Sequence, residues 1–322
     1  MARRTASALA ILGAVVTASV LCAPGAHADL VMHCVGNGGA VTVPSDLLVP
    51  AGESCSLQGT TVTGNVRVAD GGNLVVRNGR VGGEIRVASD GYLDATDTRV
   101  DGGVTLAAGG FGVFLKNTDT GGVVVEPRGS AAVEGFLFAE QGTRIDGNVT
   151  AGVGEISVSD SEVTGNVSTS GAHFTDLHDT FVDGTLSVLN NTNGSVVCGS
   201  AVQGRTTFAG NLGGVQLGPN GGLDSCASGG YFARDVSISN TTGRTTLDDT
   251  IVNGKLELTA NAPVAEIAAS SRVRGGIVGD HSVADAAGAA AAESVRGTAV
   301  QRAEERLARA DASAAMRGRA RL

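Results

Sequence analysis

Val62-Thr63-Gly64-Asn65-Val66-Arg67-Val68 is followed about 19 residues later by Val81-Gly82-Gly83-Glu84-Ile85-Arg86-Val87, and both stretches carry one pattern. An apolar residue, a spacer and a glycine precede alternating apolar residues. The pattern returns around Gly103 and Gly122, then as Ile145-Asp146-Gly147-Asn148-Val149, Val163-Thr164-Gly165-Asn166-Val167 and Val182-Asp183-Gly184-Thr185-Leu186. Later copies are Val202-Gln203-Gly204, Val252-Asn253-Gly254-Lys255-Leu256 and Val273-Arg274-Gly275. Self-similarity at a fixed period of about 18 to 20 residues is the signature of a solenoid.

Between the glycines lies a second alternating stretch, such as Leu74-Val75-Val76, Tyr92-Leu93-Asp94-Ala95 and Glu155-Ile156-Ser157-Val158. Period-two alternation bounded by Gly, Asn and Asp reads as short strands with one buried face. A unit of about twenty residues cannot bury that face alone, so successive turns must stack about 4.8 Å apart and share one aliphatic core. The expected fold is all-β: a single-stranded parallel β-helix (β-solenoid) of about ten turns with a short Ala/Arg-rich helical or disordered C-terminal tail. The composition agrees, because 49 Gly, 8 Phe, 2 Tyr and no Trp among 322 residues leave small and β-branched side chains to fill the interior.

A third column strengthens the reading. Asn78, Asp97, Asn117, Asp160, Asp179 and Asp249 each stand about five or six residues before a repeat glycine. Short Asn and Asp side chains bond to local backbone and tolerate left-handed turn geometry, so the row is read as a turn ladder. Calcium is the competing use of aligned carboxylates. The mixture of Asn with Asp, without the Gly-Gly-x-Gly-x-Asp repeat of calcium-binding β-rolls, favours the turn.

Residues 1–28 read as a signal peptide: Arg3 and Arg4, an apolar run, then Ala26-His27-Ala28 as a small-x-small cleavage site. Losing the two arginines takes the formal charge from −9 to −11, and an acidic chain is a poor partner for nucleic acid. No transmembrane segment is expected after cleavage. Four cysteines remain, Cys34, Cys55, Cys198 and Cys226. Outside the cytoplasm an even number suggests two disulfides, most simply Cys34 with Cys55 and Cys198 with Cys226, although three connectivities are possible. Zinc competes for these thiols, but no C-x-x-C spacing supports it.

Residues 29–56, with Pro44, Pro50 and one cysteine pair, are expected to form an irregular disulfide-tied cap ahead of a solenoid at 57–283. Two insertions are expected to interrupt it, near 134–141 and 211–234, with Phe136, Phe138, Tyr231 and Phe232 packed over the wall. Residues 284–322 change character to Ala, Glu and Arg, and their weak apolar stripe suggests a loosely docked helix or a solvated tail.

The search for chemistry yields no catalytic constellation. Asn117-Thr118-Asp119 and Asp248-Asp249 resemble elements of polygalacturonases, but about 130 positions separate them, and inverting chemistry needs its two carboxyls within about 10 Å. His173 and His178, near Asp176 and Asp179, are the one His/Asp cluster, while His33 and His281 stand apart. A solvated corner is the preferred reading of that cluster over acid–base or metal work. Asn148, Asn166, Asn190, Asn193 and Asn240 open N-x-S/T triplets, a weak sign of glycosylation in so polar a chain. No cofactor, metal or catalytic residue is assigned.

The cadence from Val62 to Leu106 resembles the repeat of bactofilins, bacterial β-helical proteins that polymerise end to end, at the level of period and glycine placement over residues of about 60–280. That resemblance implies a β-helix and raises self-association. Bactofilins are typically cytoplasmic and lack paired cysteines, which sets this chain apart. Its Ala, Gly and Arg bias with a secretory signal also resembles exported proteins of actinobacteria. The expected function is a secreted or cell-wall-associated non-enzymatic scaffold or binding protein, with extracellular polysaccharide or a second copy as partner. The alternative is a polysaccharide lyase or glycoside hydrolase of the parallel β-helix type.

Overall fold

The computed structural model describes residues 31–127, 134–284 and 294–322. The signal-peptide reading of residues 1–28 lies outside them. Thirteen rungs stack into three parallel sheets: sheets A and B have 13 strands each and sheet C has 12. Each of the first 12 rungs contributes in order a strand to A, to B and to C, and the last contributes to A and B only, so each strand inside the stack pairs with the equivalent strands of the rungs before and after it. Rung 3, for example, comprises Val66–Val68, Asn73–Arg77 and Arg80–Val81. Its register onto rung 4 places Val66 on Ile85, Leu74 on Leu93 and Val81 on Val100.

The expected parallel β-solenoid is therefore observed, with 13 rungs rather than about ten. The additional rungs come largely from the ends. Residues expected to form an irregular cap at 29–56 instead make regular strands from Val31 onward, with Val31 paired to Asp46 and Gly36 to Cys55. Pro44 and Pro50 cause no irregularity because both fall between strands, where no ladder N–H is required. The Cys34–Cys55 bridge, with Cα atoms 5.5 Å apart, joins rungs 1 and 2 inside the core.

The expected insertion near 134–141 is displaced. Phe136–Glu140 is an ordinary sheet B strand, paired on both sides, and the extra length lies ahead of it, between Val125 and Phe136. The second insertion narrows from 211–234 to the connection between Val215–Leu217 and Tyr231–Phe232, since Val215 is in register with Ser195 and Tyr231 with Ala201. Phe232 points into the core while Tyr231 stays half-buried on the outer face.

Stacking alike residues fills the interior with columns of Val, Ile and Leu, each worth about 1.5–3 kcal/mol on burial. From rung 8 upward the interior also carries a polar ladder absent from the expected dry core. Asn191 Nδ2 donates to Thr175 Oγ1 at 2.9 Å and to Ser195 Oγ at 3.0 Å, and Asn211 Nδ2 donates to the Val188 carbonyl at 3.1 Å.

Two corners keep the rungs in register. At the B–C corner Asn78, Asp97, Asn117, Asp160, Asp179 and Asp249 have φ between 45° and 51°. Except after Asn78, where Gly79 follows, the next residue turns its hydroxyl inward. Thr118 Oγ1 donates to the carbonyls of Lys116 and Ala95 at 3.0 Å, and Thr180 repeats this with His178 at 2.8 Å and Val158 at 2.9 Å. At the C–A corner glycine is needed for close approach. A Cβ at Gly184 would lie 2.4 Å from the Gly165 carbonyl oxygen, while the Gly184 N–H donates to that same oxygen at 3.1 Å.

The C-terminal segment is neither short nor loose. Helix α1, Ser294–Arg317, lies along the outer face of sheet B and runs back toward rung 1. Its 24 residues span about 36 Å, close to the roughly 34 Å of seven rung spacings. The buried stripe is Ala299, Ala303, Ala310 and Ala314, with Leu307 partly buried. These small side chains bring α1 close to an aromatic wall that includes Tyr92, Phe114, Phe136, Phe138 and Phe174.

Gly184→Ala is expected to destabilise the fold by roughly 1–3 kcal/mol through overpacking of the corner. Gly39→Ala, where nothing lies within 4 Å of the added carbon, serves as the control and should change stability little. Paired chemical denaturation curves check the contrast.

Candidate functional site

Sheet B carries two covers. Helix α1 lies over the lower rungs and is anchored by charged pairs along its length: Arg302 to Glu155, Arg306 to Asp90 at 3.4 Å, Asp311 to Arg77 at 2.6 Å and Arg317 to Glu53 at 2.7 Å. Arg306 also lies 4.7 Å above the Phe111 ring, and its Nε donates to Asn73 Oδ1 at 2.7 Å. The second cover is the 218–230 connection, tied to rung 9 by Cys198–Cys226 with Cα atoms 5.6 Å apart. Buried Gln216 holds it from below. Its Nε2 donates to the Asp224 carbonyl at 2.9 Å, and its Oε1 accepts from the Leu223 N–H at 2.8 Å.

Between the covers, at rung 8, lies a cavity of about 370 Å³ whose lining includes Phe138, Glu140, Phe174, Asp176, His178 and Asp224. The strand Phe174–His178 supplies the floor, with Phe174, Asp176 and His178 facing outward at alternate positions. Asp176 is 2% exposed, and its Oδ1 accepts the Val196 N–H at 2.9 Å. His178 Nε2 stands 3.4 Å from Asp224 Oδ2. One imidazole nitrogen and two carboxylate oxygens from this trio lie within 4.8 Å of one another, a donor set chemically suited to a divalent cation or to proton exchange.

The structure brings together two of the four residues in the expected His/Asp cluster. Asp179 belongs to the left-handed corner, and His173 is engaged elsewhere, with Nε2 in close contact with Asn193 and Nδ1 3.3 Å from Thr192 Oγ1. Asp224 was not foreseen. His178 and Cys198 are in register on adjacent rungs, so the bridge from Cys198 to Cys226 swings Asp224 over His178. The repeat register combined with the expected disulfide contained that signal. Asn117-Thr118-Asp119 and Asp248-Asp249 sit on rungs 5 and 11, six spacings or about 29 Å apart along the stack.

The outer faces of sheets A and C differ from that of sheet B. On A, register aligns Thr105, Val124, Thr150, Ser168, Ser187, Thr207 and Ser237 outward, a hydroxyl column interrupted only by Val124 over this run of rungs. On C, a ladder of ion pairs climbs through Arg80–Asp101 at 2.5 Å, Arg99–Asp101 at 2.8 Å and Arg144–Glu162 at 2.5 Å. Above Glu162 the same column is uncharged for four rungs, as Phe181, Ala201, Tyr231 and Ile251 stack in register, before it ends at Arg272. Phe181 is 39% exposed.

These features define a class: a disulfide-tied parallel β-solenoid with one sheet overlaid by its own helix and loop and an uncharged stripe on another. Compared with protein families, curated proteins and solved structures, the chain matches none. Its likeness to the bactofilin repeat thus stays at the level of period and glycine placement.

Burial pushes the Glu155 carboxyl up from 4.5 to about 7, against the opposing pull of the Arg302 guanidinium. Burial also raises Asp94 and Glu140. A carboxyl that holds its proton more tightly when folded contributes stability that is complete below its ordinary value and is lost as pH rises through the folded one. Stability is therefore expected to fall between pH 4.5 and about 7, and Glu155→Gln should flatten part of that slope. Thermal melts across this range check it.

Proposed function

We propose that this protein is a non-enzymatic β-solenoid scaffold, secreted or wall-associated, that binds neutral polysaccharide on the uncharged stripe of sheet C. The observation that carries the reading is the column Phe181–Ala201–Tyr231–Ile251. Its two rings stand two rungs, or about 9.6 Å, apart with a small residue between them. An extended glycan laid along the stack offers an apolar ring face at alternate sugars and hydroxyls between them. Asp183, Gln203 and Asn253, two residues beyond Phe181, Ala201 and Ile251, supply polar groups at the same edge.

The aromatic residues of sheet B pack against α1, and of them Phe138 and Phe174 also reach the cavity at rung 8. Two disulfides support an oxidising compartment. No helix among the described residues is long and apolar enough to cross a membrane. An acidic chain favours an uncharged glycan over an anionic one.

The enzyme reading has one specific observation behind it, the Asp176–His178–Asp224 cavity. Co-sedimentation with insoluble neutral polysaccharides separates the two. The intact chain is expected to be retained, and Phe181→Ala or Tyr231→Ala to weaken retention by roughly tenfold, since burying an aromatic side chain is worth about 1.5–3 kcal/mol. Retention unchanged by both substitutions together would refute the stripe. Turnover that is abolished by Asp176→Asn would replace the scaffold with an enzyme.

A further inference from the structure

The 218–230 connection is fixed most firmly at one residue, Asp224. The side chain of Gln216, 0% exposed, is used entirely on this loop. Its Nε2 donates to the Gly218 and Asp224 carbonyls at 3.0 and 2.9 Å, and its Oε1 accepts the Leu223 and Asp224 N–H groups at 2.8 and 3.2 Å. Both backbone polar groups of Asp224 are thus held by one buried amide, and the Cys198–Cys226 bridge fixes the chain two residues later. The carboxylate is oriented as well, because Asp224 Oδ1 accepts the Ser225 N–H at 2.7 Å.

Asp224 is placed against two side chains of rung 8. Asp176 and His178 project outward from one strand at alternate positions, and the buried Asp176 is held through Oδ1 by the Val196 N–H of the next rung at 2.9 Å. One ligand-capable atom from each of Asp176, His178 and Asp224 lies within 4.8 Å of the other two. The spacing between His178 and Asp224 distinguishes the uses of this trio. At 3.4 Å, Nε2 and Oδ2 stand farther apart than a direct N–H···O bond prefers, about 2.7–3.2 Å. Two donors that share a tetrahedral zinc ion at about 2.1 Å stand about 3.4 Å from each other. A proton relay needs only the His–Asp pair, whereas a cation needs three donors converging on one point.

We propose that Asp176, His178 and Asp224 form a binding site for a divalent transition-metal ion of the zinc class, and that the 218–230 connection delivers its third ligand. One imidazole with two carboxylates suits zinc, manganese or cobalt, whereas copper(I) prefers sulfur and calcium is held by oxygen donors alone. Three protein donors leave a fourth position, as in zinc sites that keep an opening for water or a bound molecule. The cavity of about 370 Å³ supplies the room, with Phe138 and Phe174 as apolar surfaces and Ser157 and Ser159 among its polar groups. Register sets those two serines beside Asp176 and His178, one rung earlier. The inference stands on sheet B and its loop and does not rest on the glycan stripe of sheet C.

The test uses the intact chain without a polyhistidine tag, treated with chelator and titrated with zinc chloride by calorimetry, with cobalt(II) as a coloured probe. One equivalent of zinc is expected to bind, and cobalt to give the visible bands of a low-coordinate site. Asp224→Ala lies on the loop, outside the stacked core, so it should keep the strand circular dichroism while lowering zinc affinity roughly a hundredfold. His178→Gln should do the same. His173→Gln, which removes a histidine outside the trio, should bind zinc as the intact chain does. An intact chain that does not saturate below about 1 mM zinc would overturn the proposal. So would stoichiometric uptake that survives both Asp224→Ala and His178→Gln. Phe181→Ala and Tyr231→Ala should leave zinc uptake unchanged, so failure here and failure of the sheet C stripe are separate results.

Discussion

In-register parallel hydrogen bonding between rungs is the interaction on which the rest of the molecule depends. Each strand bonds the equivalent strand about 4.8 Å above and below it, so every side chain lies over its counterpart one period away. An aliphatic residue at an inward position therefore starts a column, and that column excludes water only if the next rungs repeat it. The same constraint makes the corners strict. Glycine is retained at Gly184 because the backbone of Gly165 occupies the space a side chain would need.

Stacking also decides what each outer face can become. Aromatic residues at outward positions of sheet B form an apolar wall from Tyr92 to Phe138 that resumes at Phe174 beyond Glu155 and Ser157, and an exposed wall of that kind invites association. The chain covers it with its own helix. Alanine at the contact positions lets α1 approach the rings, and its arginines reach carboxylates spread along the stack, Glu155 on rung 7, Asp90 on rung 4 and Glu53 on rung 2. Because the helix runs back along the stack, its far end arrives at rung 1, where the first strand of sheet B lacks a partner. One element thus buries a face and caps an edge.

Polar groups inside the stack obey the same logic. Thr118 and Thr180 satisfy carbonyls on their own rung and on the rung below, and Asn191 and Asn211 do comparable work at the interior of the upper rungs. Buried polar atoms are tolerable when each has a partner, and the periodic fold supplies one at these positions although Thr206, Thr245 and Thr246 keep buried hydroxyls without one. The charged pairs on sheet C lie along the same axis, so that neighbouring rungs neutralise one another at the surface.

The amino-acid sequence by itself determined the period, the parallel stacking, the inward aliphatic columns and the left-handed corners at Asn117 or Asp179, because each depends on residues within one or two periods. The pairing of Cys34 with Cys55 and of Cys198 with Cys226 also lay within that range. Only the tertiary structure decided that residues 31–56 are regular rungs, since Ser45 stands where later rungs carry the repeat glycine, and Pro44 and Pro50 stand in register with Thr63 and Ala69. It alone placed α1 on sheet B, because an alanine stripe carries almost no hydrophobic signal until the aromatic wall it meets, up to about two hundred residues earlier in the chain, is in view. The Asp176–His178–Asp224 trio was half legible. Asp176 and His178 share a strand, but Asp224 reaches them through a disulfide that folds a loop across the stack, and that distance is spanned in space rather than along the chain.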